Sequence, residues 1–279
     1  MKIVVTGGSG RAGQQIIPEL IAHDYEVINA DRTSGPDQGA HFMSTDTTDL
    51  GQVVTATRGA DAIIHMAAIP APVNFPEHEV FRINMMSNWN VLEAAEIHDI
   101  PKVVMASSVN AIGAVFSPNP VTDPEYLPID EELPTRASDG YAQSKWLGEG
   151  MADAFCRRRQ MQIASMRFHW LADTENRLKA QTTPQTDPTG RDSLAFWGWT
   201  DLGHAAEACR LSIDNDWPGH EAFFINADDT QLAIPTMDAI EQVYPDVPLN
   251  EPLEGFASAI DNTKAKAMLG WSHPTTWAR

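Results

Sequence analysis

Between an apolar run at residues 3–5 and a helical pattern with Ile16, Ile17, Leu20 and Ile21 on one face, the chain reads Thr6-Gly7-Gly8-Ser9-Gly10-Arg11-Ala12-Gly13. Strand, glycine turn and helix in that order restrict the fold more than any other stretch does. Glycine lets the chain turn tightly and lets backbone come close to a pyrophosphate. The start of the helix offers unpaired N–H groups and a positive dipole end to phosphates. Taken alone, Gly7, Gly10 and Gly13 fit either a dinucleotide-binding turn or an ordinary tight turn.

Further apolar runs follow at 25–30 (ending in Asp31), 41–44, 60–66, 101–107 and 161–167. Helical patterns alternate with them: one after Asp49, an N-cap before Leu50, Val53 and Val54, then 75–98 and 138–159. Strands alternating with helices predict right-handed βαβ units, hence an α/β fold with a doubly wound, mostly parallel sheet. Residues 117–134 hold five prolines and read as loop, and the polar stretch 172–193, with Pro184, Pro188 and Gly190, reads as a loop or insertion. Beyond it we expect a helix at 201–213, a strand at 222–226, and helices at 234–243 and 263–269. The strand count suits a core over 1–167 and a small carboxyl-terminal lobe over 168–279. That lobe would be interleaved with the core and lie over the sheet edge where ligands bind.

Acidic residues outnumber basic ones 38 to 19, a formal net charge of -19. A surface that tracks nucleic-acid phosphates needs the opposite sign, so no nucleic-acid partner is expected. The acids are dispersed, which suits either an ordinary acidic soluble enzyme or one adapted to high salt. Cys156 and Cys209 are the two cysteines, too few for a disulfide framework or a Cys-rich metal site. No His/Asp/Glu cluster has metal-ligand spacing, so no metal is expected. With no charged-then-apolar leader and no apolar run near the roughly 20 residues of a membrane span, the expectation is a cytoplasmic protein without a membrane partner.

Tyr141 and Lys145 lie four apart in a helical pattern and so share a face. An ammonium beside a phenol favours the phenolate, which predicts a Tyr141 pKa below its usual value of about 10. Such a phenol can exchange a proton with a substrate oxygen. A solvated tyrosine and lysine have the same spacing. The fifth apolar run, however, ends in Ala106-Ser107-Ser108 at the sheet's carboxyl edge, where a hydroxyl can bind a substrate oxygen.

Glycine turn, serines and YxxxK in this order resemble the extended short-chain dehydrogenase/reductase family, which includes NAD-dependent sugar epimerases and dehydratases. The matching residues are Thr6 to Gly13 for TGxxGxxG, His65-Met66-Ala67-Ala68 for the fourth-strand motif, Asn84, Ser108, and Tyr141 to Lys145. The resemblance implies a Rossmann fold with NAD as cofactor and a Ser108, Tyr141 and Lys145 catalytic group, Lys145 also holding the nicotinamide ribose. It places Gly7, Gly10, Arg11, Ala12, Gly13, Met66, Ala67, Ala68 and Asn84 around the cofactor. Asp31 would bind the adenosine ribose hydroxyls and repel a 2′-phosphate, favouring NAD over NADP, while Arg32 would soften that preference. Asp46 would contact adenine or cap its own loop. A homodimer through the Tyr141 helix and the preceding helix is implied by the same analogy.

Sugar dehydratases of this family carry an acidic pair after the serine position, where this chain has Val109-Asn110-Ala111. Nucleotide-sugar epimerases have a longer carboxyl-terminal part, so a smaller sugar-type substrate is expected. The run Ala106-Ser107-Ser108-Val109-Asn110-Ala111-Ile112-Gly113 is similar to uronate dehydrogenases, which oxidise the anomeric carbon of a sugar acid. These have Asn-His where this chain has Val109-Asn110, and Gly-Ser where it has Phe168-His169-Trp170. Ser107 and Asn110 are further substrate candidates. A uronate carboxylate needs a cation, for which Arg177 and Arg191 are candidates, with Arg167 packing under the site. Trp170, Trp197 and Trp199 offer a wall for a sugar ring, with Trp197 expected in the core. His169 is either a substrate donor or a structural histidine. An epimerase retaining its NADH, and a cofactor-binding regulator without turnover, are the alternative functions.

Overall fold

The computed structural model describes residues 1–277. Seven parallel strands form one sheet: β1 Lys2–Thr6, β2 Glu26–Asp31, β3 His41–Ser44, β4 Ala62–His65, β5 Lys102–Ala106, β6 Gln162–Phe168 and β9 Gly219–Ile225. Their order is β3-β2-β1-β4-β5-β6-β9. The chain winds outward from β1 in one direction and then, from β4, in the other. The carboxyl ends of β1 and β4 therefore flank a crevice, the usual ligand position in such sheets. Val4, Val5, Ile63, Ile64, Val103 and Val104 are buried, as expected for parallel strands covered on both faces.

Helices α1 Gly13–Ala22, α6 Leu202–Asp214 and α8 Thr263–Leu269 cover one face, where Ile16, Ile17 and Leu20 meet Cys209, Phe223 and Trp271. Helices α2 Leu50–Ala56, α3 Glu77–Ile97 and α4 Gly140–Arg158 cover the other, around Val91, Leu92, Phe155 and Ile163. A separate apolar cluster joins the proline-rich segment (Val121, Leu127, Ile129, Leu133) to Phe196, Trp197, Ile240 in α7 Thr236–Val243, and Ile260. Through it, the later part of the chain is packed over the carboxyl ends of the strands.

Two sequence expectations are corrected. Residues 172–193 are not all loop: α5 Thr174–Thr182 begins there, and a 3-10 turn spans Arg191–Ala195. The cause is a capping box, in which Asp173 accepts from the Asn176 backbone and Asn176 reaches back to the Asp173 backbone. β9 starts earlier than residue 222, because Gly219, His220 and Glu221 pair with Gln162, Ile163 and Ala164 despite their polar character. A two-stranded parallel pair, β7 Leu171–Ala172 with β8 Thr200–Asp201, gave no periodic signal at that length.

Candidate active site

The crevice opens into a cleft of about 730 Å³. Its floor includes Gly7, Gly10, Arg11, Ala12 and Gly13. Gly7 has φ +69, and a Cβ there would lie 2.6 Å from the Ala67 nitrogen. A Cβ on Gly13 would lie 2.4 Å from the Gly8 Cα. These positions exclude any side chain, so the turn presses onto the segment just after β4 and onto itself. Asp49, Asp139, Asp173 and Asp201 cap α2, α4, α5 and α6, whereas α1 has no side-chain cap and no acid in its first turn. Its open N-terminus beside side-chain-free backbone fits the pyrophosphate of a dinucleotide.

Met66 and Ala68 line the same cleft, and Ala67 lies behind, against Gly7. Asp31 ends β2 beside the glycine turn and accepts from the Ser9 N–H at 3.1 Å and the Arg32 N–H at 2.6 Å. The Arg32 side chain is exposed. Arg11 reaches Asp173 at 2.9 Å, tying the glycine turn to the cap of α5. Two residues expected near the cofactor have protein partners of their own. Asp46 caps its own loop through Thr48, whose N–H and hydroxyl donate to it at 2.9 and 2.7 Å and hold its carboxyl below the usual range. Asn84 spends its amide on Ile69 N–H (2.8 Å), Ile69 carbonyl (3.2 Å) and Ser144 (3.1 Å), so it clamps the loop after β4 onto α4.

Ser108, Tyr141 and Lys145 come together in the cleft. Asp139 starts α4 by accepting from the Tyr141 and Ala142 N–H groups, which sets the helical face carrying Tyr141 and Lys145. The Lys145 ammonium donates to the Ala106 carbonyl at 2.7 Å and lies 5.6 Å from the Tyr141 ring centre. Burial draws Lys145 down to about 8, against the pull of Glu149. The expected lowering of Tyr141 does not hold in this structure: burial pushes it up to about 12, although Ser108 opposes the shift. Desolvation of a phenolate, reinforced by the Asp139 carboxylate, outweighs the Ser108 hydrogen bond.

Beneath this group lies a buried network. Arg167 pairs with Glu149 through two bonds, at 3.0 and 2.9 Å, and Ser107 donates to the same carboxylate at 2.5 Å. The Ser107 hydroxyl is therefore engaged below the cleft, and Arg167 packs under the site as expected. Asn110 lines the cleft, but its carbonyl accepts from Val115 N–H at 2.8 Å.

The opposite wall consists of His169, Trp170, Leu171, Arg191, Asp192, Ala195 and Gln231. Trp170 is 43% exposed, while Trp197 and Trp199 are fully buried, so one of the three indoles remains available to a ligand. Both His169 nitrogens face backbone: Nε2 donates to the Ala195 carbonyl at 2.8 Å and Nδ1 accepts from Trp170 N–H at 2.6 Å. Burial draws its pKa down to about 4, so His169 is a neutral structural strut. Arg177 faces Asp201 at 3.6 Å and does not line the cleft. Arg191 does, with its guanidinium 4.9 Å from the Phe116 ring centre. Phe116, Asp192 and Gln231 had escaped the sequence reading, since they lie on irregular segments without a motif or period.

A model of the NAD dependent epimerase/dehydratase family matches residues 3–176. The chain is 30% identical to an L-arabinose 1-dehydrogenase (NAD(P)(+)) of Haloferax volcanii, over 87% of this chain and 90% of that one. It is 28% identical to a uronate dehydrogenase of Pseudomonas putida, over 60% of each. The fold superposes with TM-score 0.74 and 19% identity on a short-chain dehydrogenase/reductase superfamily protein from Agrobacterium tumefaciens with bound NAD, covering 99% of this chain and 94% of that one. The glycine turn pressed onto the segment just after β4, the uncapped α1 and these matches agree: the chain belongs to the NAD dependent epimerase/dehydratase family.

Proposed function

We propose that the protein oxidises a sugar or sugar acid at its anomeric hydroxyl, the position named in the L-arabinose 1-dehydrogenase relative, with NAD as the hydride acceptor. The observation that carries this reading is the meeting of Ser108, Tyr141 and Lys145 beside the glycine floor of one cleft. NAD, when bound, supplies the ring that takes the hydride. Gly7, Gly10, Arg11, Ala12 and Gly13 would hold its pyrophosphate, Asp31 its adenosine ribose and Lys145 its nicotinamide ribose. The Asp31 carboxylate would disfavour a 2′-phosphate. Ser108 and Tyr141 bind the substrate hydroxyl, and Tyr141 takes its proton as the carbon loses hydride. Burial holds Tyr141 high, so positive charge beside it favours the phenolate that takes the proton; Lys145, 5.6 Å from its ring, is one source and the oxidised nicotinamide would be a second. Arg191 is the cation of the wall that can meet a polar substituent of the sugar.

The names of the relatives, an arabinose and a uronate dehydrogenase, support a free sugar or sugar acid as substrate. A homodimer is the assembly this reading favours: Met86 and Trp89 on α3, and Trp146 and Leu147 on α4, are exposed on adjacent packed helices. Two free thiols suit a reducing compartment.

The test is incubation with NAD and a panel of free sugars, sugar acids and nucleotide sugars, following absorbance of the reduced cofactor. Net NADH from a free sugar supports the dehydrogenase. An isomerised product without net NADH would establish the epimerase instead. NAD binding with neither product would leave a regulator.

A further inference from the structure

Two residues of opposite charge, consecutive in the chain, line the substrate wall. Arg191 and Asp192 open the 3-10 turn, are exposed, and line the cleft. Arg191 stacks over Phe116, which itself meets Tyr141 edge-on at 5.7 Å. Among the described residues, neither Arg191 nor Asp192 has a side-chain hydrogen bond or ion pair. This is unlike Arg11, Arg167, Arg177 and Arg210, which all face carboxylates.

The turn that carries them is well anchored. The Asp192 carbonyl accepts from Trp197 N–H at 3.0 Å, and Ser193 donates to the Gly190 carbonyl at 2.6 Å. Phe196 and Trp197 hold φ +56 and +53, a left-handed backbone that bulky residues keep only when packing enforces it. Both rings are fully buried. The Trp197 indole N–H donates to the Pro188 carbonyl at 2.8 Å. Nearby, the exposed Trp170 offers an apolar face, and Gln231 is held through its amide nitrogen by the Gly198 carbonyl.

Resting on the reading above that a sugar is oxidised at Ser108 and Tyr141, we propose that Arg191 and Asp192 together select a neutral aldose and reject sugar acids and sugar phosphates. A guanidinium alone would capture a carboxylate or phosphate with two parallel bonds. With Asp192 beside it, the pair carries no net charge. An anionic substituent drawn to Arg191 is repelled by the Asp192 carboxylate that lines the same cleft. A sugar diol satisfies both partners, donating to the carboxylate and accepting from the guanidinium. The formal net charge of -19 on the whole chain adds a second, long-range bias against anions.

Two homologous series test this: L-arabinose, D-galactose and D-galacturonate, and D-xylose, D-glucose and D-glucuronate. Within each, the ring hydroxyls keep one stereochemistry while the C5 substituent is hydrogen, hydroxymethyl or carboxylate. NADH formation gives kcat/KM for each, and NAD binding is titrated separately. The neutral members are expected to exceed the uronate by about tenfold or more in the wild type. Asp192→Asn is expected to raise kcat/KM for the uronate about tenfold, with a smaller gain at high salt. A wild-type preference for the uronate, or a preference ratio unmoved by Asp192→Asn, overturns the proposal and leaves the oxidoreductase reading standing. Intact NAD binding with no NADH from any member overturns both.

Discussion

The floor and the wall of the cleft are built in different ways. On the floor, Gly7 and Gly13 leave no room for a Cβ, and Tyr141 and Lys145 sit on α4 just after its Asp139 cap. Lys145, Ser107 and Arg167 all have close polar partners there. On the wall, Trp170, Arg191, Asp192 and Gln231 lie outside the main helices and sheet, and three of them are exposed. The floor is defined by backbone geometry and satisfied buried groups. The wall presents Arg191 and Asp192, whose side chains have no hydrogen-bond or ion-pair partner among the described residues, and the exposed face of Trp170. A floor shaped by backbone suits chemistry common to many substrates, and a wall of exposed side chains suits the choice among them.

That contrast can be broken most severely at Tyr141. Tyr141→Phe removes the proton acceptor, and kcat is expected to fall about a thousandfold while the NAD dissociation constant stays within about twofold. Equal losses in both would show that floor and chemistry are not separable. Next is the network below. Glu149→Ala leaves the buried Arg167 charge unpaired and is expected to cost about 3–5 kcal/mol in urea unfolding. A loss under about 1 kcal/mol would mean that the floor is not held from beneath.

A third test uses pH. Burial lowers His169 to about 4 and His65 to about 3, from 6.5. Depressed values mean that the unfolded chain binds more protons in this window, so the stability they contribute is full above pH 6.5 and is lost as pH falls through about 4 and then about 3. His169→Gln should remove part of that slope, on the order of 2–3 kcal/mol between pH 6.5 and 4, in unfolding free energies across the range. An unchanged slope would place the acid-sensitive groups elsewhere. The smallest effect is expected at Trp170. Trp170→Ala should raise KM for the sugar about fivefold, roughly 1 kcal/mol, and leave thermal stability nearly unchanged.

The same contrast explains what could be read before any coordinates. Gly7, Gly10, Gly13, Tyr141 and Lys145 follow fixed spacings on regular elements, so pattern alone brought them together. Arg177 and Arg191 lie in one polar stretch, and nothing local separates them. Only packing turns Arg177 toward Asp201 and Arg191 over Phe116. Sequence leaves His169 two roles, and its bonds to Ala195 and Trp170 select the structural one. The local sign of α5 is the capping-box spacing of Asp173 and Asn176; its residues carry no buried face to give a period. The direction of the Tyr141 shift follows from burial depth, a tertiary property that YxxxK spacing does not carry.

The most direct measurement follows the hydrogen itself. An aldose deuterated at C1 is incubated with the protein and NAD, and the label is traced by NMR. The account predicts one deuterium on the nicotinamide for each sugar consumed, with an oxidised sugar as product. Label that returns to the sugar at an inverted carbon, or reduced cofactor that carries no deuterium, would contradict oxidation at that carbon.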